Sequence, residues 1–413
     1  MPQAQTPIPL LREKQILLGV SGSIAAYKAA DLSSRLTQAG ARVDVILTPS
    51  AEKFVTPLTF ASLTGRKAYT EADLWGEEAH VLHVGLASHA DLMLIAPATA
   101  NTLAQLAQGK ADTLLALAAL ACRAPLLVAP AMDGGMYENP ATQDNLETLR
   151  RRGVTVVGPV EGRMASGLTG FGRMEEAARL VGHIRLALGR SGPLSGKVVV
   201  VTAGGTQEPL DPVRVLANRS SGKQGFALAQ AARDRGARVI LVAAPTPLIT
   251  PVGVERVDIQ TAAEMKEAVL TACREADLLL MAAAVADFRP SKPAQHKLKR
   301  GKGVPEVRLE PTDDILAAVA DQRKKTGRPG AVVGFAAESR EVIANARAKL
   351  EGRGLSLIVA NEITYPGAGF GSDTNRVSVL DGSGSVEELP LMSKADVAEA
   401  VLERAIRKMS AGS

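Results

Sequence analysis

The residues best suited to chemistry lie in one segment, residues 198–225, which reads VVVVTAGGTQEPLDPVRVLANRSSGKQG. Its β-branched start is typical of a strand buried on both faces, and glycines and prolines then break the strand into a loop. The loop ends in Asn218, an arginine, two serines, a glycine and Lys223, immediately before a helical pattern. Free N–H groups and the helix dipole favour negative charge at such a helix start. The segment therefore predicts an anion site that suits a phosphate.

A plain serine N-cap with solvated basic neighbours is the alternative explanation of the same loop. The loop is also distinct from the P-loop of nucleoside triphosphatases. The first glycine of that motif is missing, and Gln224 follows the lysine where a serine or threonine belongs.

Polar loops also follow four apolar runs of the first half. The loops SGS, TPSA, PATAN and PAMDGGMY come after runs at 15–20, 41–47, 90–96 and 125–129. Because the carboxyl ends of parallel strands meet at one edge of a sheet, we expect these loops to form one ligand site. GVSGS is not the dinucleotide fingerprint, and no acidic residue ends the second run. The pattern argues against NAD and favours a single phosphate, as in a mononucleotide.

Strands and helices alternate along both halves. Helices are predicted at 24–38, 102–121, 142–152 and 175–188. In the second half, strands at 198–201, 238–242, 278–282, 331–334 and 355–359 alternate with helices at 226–235, 263–275, 315–325 and 342–350, before a hairpin at 376–389. This order predicts an α/β protein of two tandem, doubly wound (Rossmann-like) three-layer domains with mostly parallel sheets.

The domain limits follow from where the alternation starts and stops. We expect a loose N-terminal leader at 1–13, a first domain at 14–189 and a second at 197–413. The linker between them, 190–196, is rich in Gly, Pro and Ser.

Composition restricts the class of protein. The chain has 413 residues, enough for two cores, and its net charge of +5 suits small anionic ligands. An aromatic content of 3% offers few stacking platforms, so nucleic acid is not the expected partner. The two cysteines lie far apart in apolar patterns, which indicates reduced thiols and a cytoplasmic protein. The sequence has no run of membrane-spanning length, so no membrane partner is expected.

Four blocks of the first half resemble the phosphopantothenoylcysteine decarboxylase family of flavoproteins. They are GVSGSIAAYKAADLSSRL, HVGLASHADLMLIAPATANTLAQLAQGKADTLL, APAMDGGMYENPATQDNLETLRRRG and GLTGFGRM, and the likeness runs over residues 14–188. It implies FMN as the cofactor, bound by Ser21, Gly22, Ser23, Thr48, Ser50, Ala98, Thr99 and Asn101. It also implies His83 as the catalytic base. His80 and His89 lie close by, and only the motif match selects His83.

Two catalytic positions depart from that family pattern. Asp133 stands where the family has an asparagine that contacts the substrate carboxylate. Ser166 stands where the family has a cysteine that protonates the product, and a hydroxyl is a far weaker acid than a thiol with a pKa of about 8.5. An ionised Asp133 would repel a carboxylate, whereas a protonated one could donate a hydrogen bond as asparagine does. Either decarboxylation survives with altered acid–base roles, or this domain has diverged to another thiol-carboxylate.

Six blocks of the second half resemble phosphopantothenate–cysteine ligases over residues 194–408: TAGGTQEPLDPVRVLANRSSGKQG, AAAVADFRP, KLKR, GFAAES, IVANE and FGSDTN. The resemblance implies that Asn218 stabilises an acyl-nucleotide, with Arg214 beside it. It implies that Lys297 begins a basic lid, in which Arg300 takes the last position. Without the resemblance, the basic stretch 289–302 reads equally well as a solvated loop.

The resemblance also implies a nucleotide site. Its residues are Ala283, Asp287, Lys297, Thr312, Asp313, Asp314, Ile315, Phe335, Lys349 and Arg353. Asp287 follows a predicted strand at the ligand edge, where a single carboxylate could anchor Mg²⁺ together with nucleotide phosphates, although a turn cap would explain it equally well.

Together the two halves predict a bifunctional enzyme of coenzyme A biosynthesis. The second half would join cysteine to 4′-phosphopantothenate through an acyl-cytidylate made from CTP, and the first would decarboxylate the product with FMN. The resemblance implies a homo-oligomer with ligase dimers and decarboxylase trimers, hence a dodecamer. A first domain without catalysis, a flavin oxidoreductase, and ATP in place of CTP remain alternatives.

Overall fold

The computed structural model describes residues 7–75, 81–299, 306–338, 340–362, 365, 367 and 371–411. The chain divides into two compact units, Met1–Gly189 and Arg190–Ser413. Within the described residues, no helix is both long and apolar enough to cross a membrane. The predicted fold class is confirmed, because each unit is an α/β sandwich around a mostly parallel sheet.

The first unit alternates strands and helices as its sequence predicts. Its strands are β1 (Gln15–Val20), β2 (Arg42–Leu47), β3 (Ala68–Tyr69), β4 (Leu92–Ala98), β5 (Leu126–Pro130), β6 (Thr155–Val156), β7 (Val160–Arg163) and β8 (Thr169–Arg173). Its helices are α1 (Ala26–Gln38), α2 (Pro57–Thr64), α3 (Leu82–His89), α4 (Ala100–Gln108), α5 (Leu114–Ala121), α6 (Gly134–Glu138), α7 (Pro140–Arg151) and α8 (Ala177–Gly189).

Its main sheet has the order β3-β2-β1-β4-β5-β6, and every pair in it is parallel. The apolar strands are buried on both sides because α1, α2 and α8 pack on one face and α4, α5 and α7 on the other. The chain reverses its winding between β1 and β4, and ligands of open α/β sheets bind at this point. Strands β7 and β8 form a separate antiparallel hairpin.

Two predictions for the first unit are wrong. The predicted helix over 102–121 is two helices, because Gly109 ends α4 in the left-handed conformation and the side chain of Thr113 caps α5. The predicted loose leader is packed from residue 7 onward. There the N–H of Ile8 donates to the carbonyl of Ala39, and Leu11 is fully buried. Residues 1–6 lie outside the described residues.

The second unit repeats the architecture with a longer sheet. Its strands are β9 (Val198–Ala203), β10 (Gln207–Pro209), β11 (Val215–Ala217), β12 (Arg238–Ala243), β13 (Val254–Asp258), β14 (Leu278–Met281), β15 (Phe288–Pro290), β16 (Leu309–Pro311), β17 (Ala331–Glu338), β18 (Leu357–Glu362), β19 (Thr374–Asp381) and β20 (Val386–Ser393). Its helices are α9 (Lys223–Asp234), α10 (Ala262–Ala272), α11 (Ile315–Thr326), α12 (Val342–Gly352) and α13 (Lys394–Ala411).

The main sheet of the second unit runs β13-β12-β9-β14-β17-β18-β19-β20. It is parallel up to β18, and the predicted hairpin β19–β20 adds two antiparallel strands at its edge. Helices α9 and α13 cover one face, whereas α10, α11 and α12 cover the other. The winding reverses between β9 and β14, which is again where a ligand is expected.

The predicted unstructured linker, 190–196, belongs to the second unit. Leu194 is buried in its core, and the N–H of Leu194 donates to the carbonyl of Arg235 at 2.8 Å. Gly192 makes this possible because a Cβ there would lie 2.5 Å from the same carbonyl oxygen.

Candidate active sites

The predicted phosphate loops of the first unit meet at the point where its winding reverses. Ser21, at the end of β1, is buried and donates to the carbonyl of Pro97 at 2.8 Å. Its hydroxyl also accepts from the N–H of Thr99 at 3.0 Å. The predicted ligand Ser21 thus ties the loop after β1 to the loop after β4.

The loop after β2 touches the loop after β1. A Cβ on Gly22 would lie 2.3 Å from the Cβ of Ser50, so only glycine allows this approach. Ser23 precedes α1, and Thr48 turns the chain by accepting from the N–H of Ala51. Five of the predicted cofactor residues, Ser21, Gly22, Ser23, Thr48 and Ser50, therefore lie in two loops that are in direct contact.

Helix α4 begins at the same edge. The hydroxyl of Thr99 accepts from the N–H of Thr102 as the N-cap, Ala98 is buried at the end of β4, and Asn101 is exposed. The start of α1 has no side-chain cap. Two helix N-termini at one sheet edge make this a suitable place for a phosphate.

His83 lies on α3 and is half-buried. Its Nδ1 is buried and has no hydrogen-bond partner among the residues that the structure describes. A buried ring nitrogen without a hydrogen-bond partner is uncommon in proteins, and a bound ligand could provide that partner.

The structure brings the two atypical positions together. The hydroxyl of Ser166 donates to one carboxylate oxygen of Asp133 at 2.7 Å, and the other oxygen accepts from the N–H of Gly135 at 3.1 Å. The hairpin β7–β8 makes this contact possible, because the carbonyl of Gly172 accepts from the N–H of Met132 beside Asp133. Asp133 and Ser166, which lie 33 positions apart in the sequence, thus form one hydrogen-bonded pair in the structure.

The second unit holds a cavity of about 760 Å³ at the point where its winding reverses. Its walls come from the segment between β11 and α9, the end of β14 and the loop after it, the C-terminal part of β17, the end of α12, and the starts of α9, α11 and α13. Ten of the predicted nucleotide and catalytic residues line it: Asn218, Ala283, Asp287, Thr312, Asp313, Asp314, Ile315, Phe335, Lys349 and Arg353.

Hydrogen bonds to β9 and to the loop after it fix the position of the loop after β14. The hydroxyls of Thr202 and Thr206, both fully buried, accept from the N–H groups of Ala283 and Ala286 at 3.0 and 2.9 Å. On the cavity side, the Nδ2 of Asn218 donates to the carbonyl of Val285 at 2.9 Å.

The carboxylates of the cavity differ in their partners. Asp313 pairs with Lys266 at 2.7 Å, and the ammonium of Lys266 lowers the pKa of Asp313. Asp314 caps α11 and accepts from the Nε of Arg353 at 2.7 Å. Asp287 is exposed, and its carboxylate has no ion-pair or hydrogen-bond partner within the described part of the chain.

Arg214 and Lys297 do not line the cavity among the described residues. Arg214 donates through Nε to Asp211 at 3.0 Å and also to the carbonyl of Leu298 at 2.8 Å. The N–H of Leu298 donates to Asp211 at 3.1 Å. Asp211, which the sequence analysis missed, thus joins the loop that leads to Asn218 to the start of the predicted lid. Arg300 lies outside the described residues.

We predict that Asp211→Asn lowers the melting temperature of the second unit near neutral pH. Arg214, foremost, and three backbone N–H groups hold the pKa of this buried carboxyl well below its usual range. Its stabilisation is complete above the unfolded-state pKa of about 3.9 and is lost as the pH falls towards the folded-state pKa. Thermal unfolding at several pH values should therefore show a gap between variant and wild type that narrows below about pH 4.

Asp321→Asn is the matched control, because Asp321 is an exposed carboxylate paired only with Lys324. A gap for Asp211→Asn that is independent of pH, or as small as that of the control, would contradict the assignment.

Known proteins resemble both units. The Flavoprotein family matches residues 8–188, and the family "DNA/pantothenate metabolism flavoprotein C-terminal domain" matches residues 194–409. The coenzyme A biosynthesis bifunctional protein of Bacillus subtilis is 44% identical over 95% of this chain and 97% of its own. Those of Vibrio cholerae and Mycobacterium tuberculosis are each 44% identical, over 95% and 94% of this chain and 98% and 96% of theirs.

A solved structure, the C-terminal domain of such a bifunctional protein, is 36% identical and covers 54% of this chain and 100% of its own, with a TM-score of 0.46.

Fold, sites and matches define a two-unit α/β enzyme whose first unit is a flavoprotein. The chain belongs to the family of coenzyme A biosynthesis bifunctional proteins. The prediction of a bifunctional enzyme with decarboxylase and ligase activities in coenzyme A biosynthesis is thereby confirmed.

Proposed function

We propose that the second unit joins cysteine to 4′-phosphopantothenate at the expense of CTP, and that the first unit removes the cysteine carboxylate from the product. The cavity at the start of α9 and α11 carries the proposal for the ligase. It combines an uncapped helix N-terminus, the amide of Asn218, an unpaired carboxylate and the basic side chains of Lys349 and Arg353.

In the proposed ligation, an oxygen of the 4′-phosphopantothenate carboxylate attacks the α-phosphorus of CTP. A P–O bond forms, pyrophosphate leaves, and the result is an acyl-cytidylate. The amine of cysteine then attacks the acyl carbon, so that a C–N bond forms, CMP leaves and the amine loses a proton. Negative charge grows on phosphate oxygens in the first step, where cationic side chains and helix N-termini stabilise it.

Asn218 is suited to the acyl group. Its amide donates hydrogen bonds without adding charge, and its bond to the carbonyl of Val285 fixes it against the loop after β14. Lys297 is exposed at the start of the lid, and we propose that it approaches the phosphates when the nucleotide binds.

We propose a magnesium site at Asp287. Its carboxylate faces the cavity without a partner among the described residues, while its carbonyl accepts from the N–H of Thr312 at 3.0 Å. One protein carboxylate plus nucleotide phosphates is the usual environment of Mg²⁺ in such sites.

The residues of the first unit fit FMN. Ser21 joins the loops that precede α1 and α4, and the absence of a side chain at Gly22 lets the loop after β2 approach the loop after β1. When bound, the flavin supplies the oxidation and reduction of the substrate that make loss of CO₂ possible.

We propose that the chain's own residues supply the proton chemistry. His83 is the base, with its buried Nδ1 available to a ligand. The Asp133–Ser166 pair takes the role of the usual asparagine and cysteine. The carboxylate of Asp133 accepts from the hydroxyl of Ser166 at 2.7 Å, which holds that hydroxyl in a fixed orientation.

Product analysis by mass spectrometry tests both halves of the proposal. With 4′-phosphopantothenate, cysteine, CTP and Mg²⁺, we expect pyrophosphate, CMP, CO₂ and 4′-phosphopantetheine. Product that retains the cysteine carboxylate would contradict the decarboxylase assignment. Faster turnover with ATP than with CTP would contradict the choice of nucleotide.

We predict that Gly22→Ala lowers the flavin content of the purified protein. The added methyl would meet Ser50 Cβ at 2.3 Å, and overpacking of this kind typically costs about 1–3 kcal/mol. Titration with FMN should show an affinity about tenfold weaker or more. Gly85→Ala on α3 is the matched control, because a Cβ there meets nothing within 4 Å. Equal flavin binding by both variants would contradict the site.

We further propose a cytoplasmic homo-oligomer. Both cysteines are free, and burial raises the pKa of the Cys273 thiol to about 12, which keeps it unreactive. Large apolar side chains are exposed on the first unit, among them Tyr27, Leu58 and Trp75, and such surfaces are common at subunit contacts. Native mass spectrometry of the full chain would give the number of subunits.

A further inference from the structure

The hairpin β7–β8 stands apart from the main sheet of the first unit. Within the described part of the chain, its two strands pair only with each other. A two-stranded hairpin is marginally stable at best in isolation, so contacts with the rest of the unit must set its orientation. Ser166 lies between the two strands, at the tip, and its position beside Asp133 depends on those contacts.

The hairpin is packed closely against the segment after β5. The N–H of Met132 donates to the carbonyl of Gly172 at 3.0 Å, and a Cβ on Gly172 would lie 2.3 Å from the carbonyl oxygen of Met132. A Cβ on Gly134 would lie 3.3 Å from the Cε of Met164. A displacement of the hairpin by about 1 Å would stretch the hydrogen bond of Ser166 beyond the usual range.

A buried lysine holds the base of the hairpin, where β8 ends at Arg173. Lys28, in the first turn of α1, is 8% exposed. Its ammonium donates to the carbonyl of Met174 at 3.0 Å and to the carboxylate of Glu176 at 2.7 Å. Because a lysine is rarely buried to this extent unless its charge is paired, the two acceptors fix the ammonium at this place.

The backbone of Lys28 belongs to the segment that is predicted to hold the cofactor phosphate. Its N–H donates to the carbonyl of Ala25 at 2.9 Å, and the N–H of Ala25 donates to the hydroxyl of Ser23 at 3.2 Å. Lys28 and Met174 lie 146 positions apart in the sequence. One side chain thus connects the start of α1 to the hairpin that carries Ser166.

A second ion pair at the base of the hairpin is weaker. Arg173 donates to Glu176 at 3.3 Å, and the two side chains are 41% and 56% exposed. Ion pairs between exposed side chains contribute little to stability, whereas a buried ammonium with two acceptors has a fixed geometry. Lys28 is therefore the stronger polar restraint on the base.

We infer that Lys28 is a positioning residue for decarboxylation: it fixes the base of the hairpin so that Ser166, at the tip, stays beside Asp133. This inference rests on the proposed function of the first unit and deepens it. Lys28 touches neither of the two residues, so its effect on the reaction passes through the hairpin.

Hydrogen exchange of the full chain, followed by mass spectrometry, tests the positioning directly. In Lys28→Met, the N–H groups of residues 160–173 should exchange about tenfold to a hundredfold faster than in the wild type, because a hydrogen bond to a charged group is lost. Lys28→Arg keeps donors for both acceptors and should restore most of the protection. Lys14→Met is the matched control, because Lys14 pairs with Asp91 at the other end of β1 from Ser21.

Kinetics with 4′-phosphopantothenoylcysteine show whether Lys28 acts through Ser166. We expect Lys28→Met to lower kcat for decarboxylation about tenfold to a hundredfold, while ligation by the second unit is unchanged. In a Ser166→Ala background, the same substitution should lower kcat by less than about threefold, because two residues that act through one contact are not additive.

Glu176→Ala provides a second variant if Lys28→Met folds poorly, because Glu176 is exposed and its loss removes one acceptor of the ammonium. It should show the same dependence on Ser166. Unchanged exchange at residues 160–173, an unchanged kcat, or equal losses of kcat with and without Ser166 would overturn the inference. A wild type that releases no CO₂ from 4′-phosphopantothenoylcysteine would instead refute the proposed function, so the two failures are distinguishable.

Discussion

Asn218→Asp should lower the rate of ligation by about a hundredfold to a thousandfold. The replacement removes the donor that bonds to the carbonyl of Val285, and it places a negative charge where the acyl-cytidylate must form. Losing one such donor near a developing oxyanion typically costs about 3–4 kcal/mol, and like-charge repulsion adds to it. Release of pyrophosphate from CTP, measured with saturating 4′-phosphopantothenate and cysteine, gives the rate.

Asn218→Ala separates the two effects, because it removes the donor without adding a charge. We expect it to retain more activity than Asn218→Asp. Decarboxylation of 4′-phosphopantothenoylcysteine by the same preparations serves as the internal control and should be unchanged. Ligation within threefold of the wild-type rate in both variants would rule out the role assigned to Asn218.

His83→Asn should lower decarboxylation by about a hundredfold to ten-thousandfold, the usual contribution of a general base. Asparagine is close to histidine in size but cannot take up a proton. The assay should supply 4′-phosphopantothenoylcysteine directly and follow CO₂, so that ligation does not limit the rate. The flavin absorbance of the variant should remain, because the loss concerns proton transfer rather than cofactor binding.

His89→Asn is the matched control. His89 ends the same helix, is exposed, and contacts the carbonyl of Gly85 through Nδ1 at 2.6 Å. It should decarboxylate at the wild-type rate. Equal losses in the two variants would show that α3, rather than the His83 imidazole, is what the reaction needs.

The departures from the usual catalytic residues acquire a physical explanation from the structure. An ionised aspartate alone would repel a carboxylate substrate, and a serine alone is too weak an acid. The hydrogen bond of 2.7 Å between Asp133 and Ser166 joins a carboxyl group to a hydroxyl at the tip of a hairpin. The two departures from the family pattern are therefore one hydrogen-bonded pair rather than two independent changes.

The sequence alone was sufficient for the fold class, the family and most of the residues that the structure brings together at the ligand edge of each sheet. Apolar runs such as Val198–Ala203 alternate with helical periodicity, and that alternation admits few arrangements other than parallel sheets covered on both faces. Within each unit, the loops after the two central strands have to meet where the winding reverses: those after β1 and β4 in the first unit, and those after β9 and β14 in the second. Their polar residues could therefore be predicted to lie together within each unit.

Local breaks and packed ends could not be predicted in this way. A helical pattern over 102–121 continues through Gly109, and only the conformation of that glycine and the cap at Thr113 divide it. The segments at 7–13 and 190–196 look unstructured in composition, yet Leu11 and Leu194 each fill a core. Burial of a single side chain leaves no periodic signal in the sequence.

By itself, the sequence determined which chemical groups each unit possesses and in which order the two domains follow each other along the chain, because motifs and periodicity are local properties of the chain. Only the tertiary structure decided which groups act as partners: Asp133 with Ser166, Asp211 with Arg214, and Lys223 with Asp373. The last of these pairs joins residues 150 positions apart. The physical reason is that charge and hydrogen bonding act over a few ångströms, so partners separated along the chain become defined only when the fold brings them within that distance.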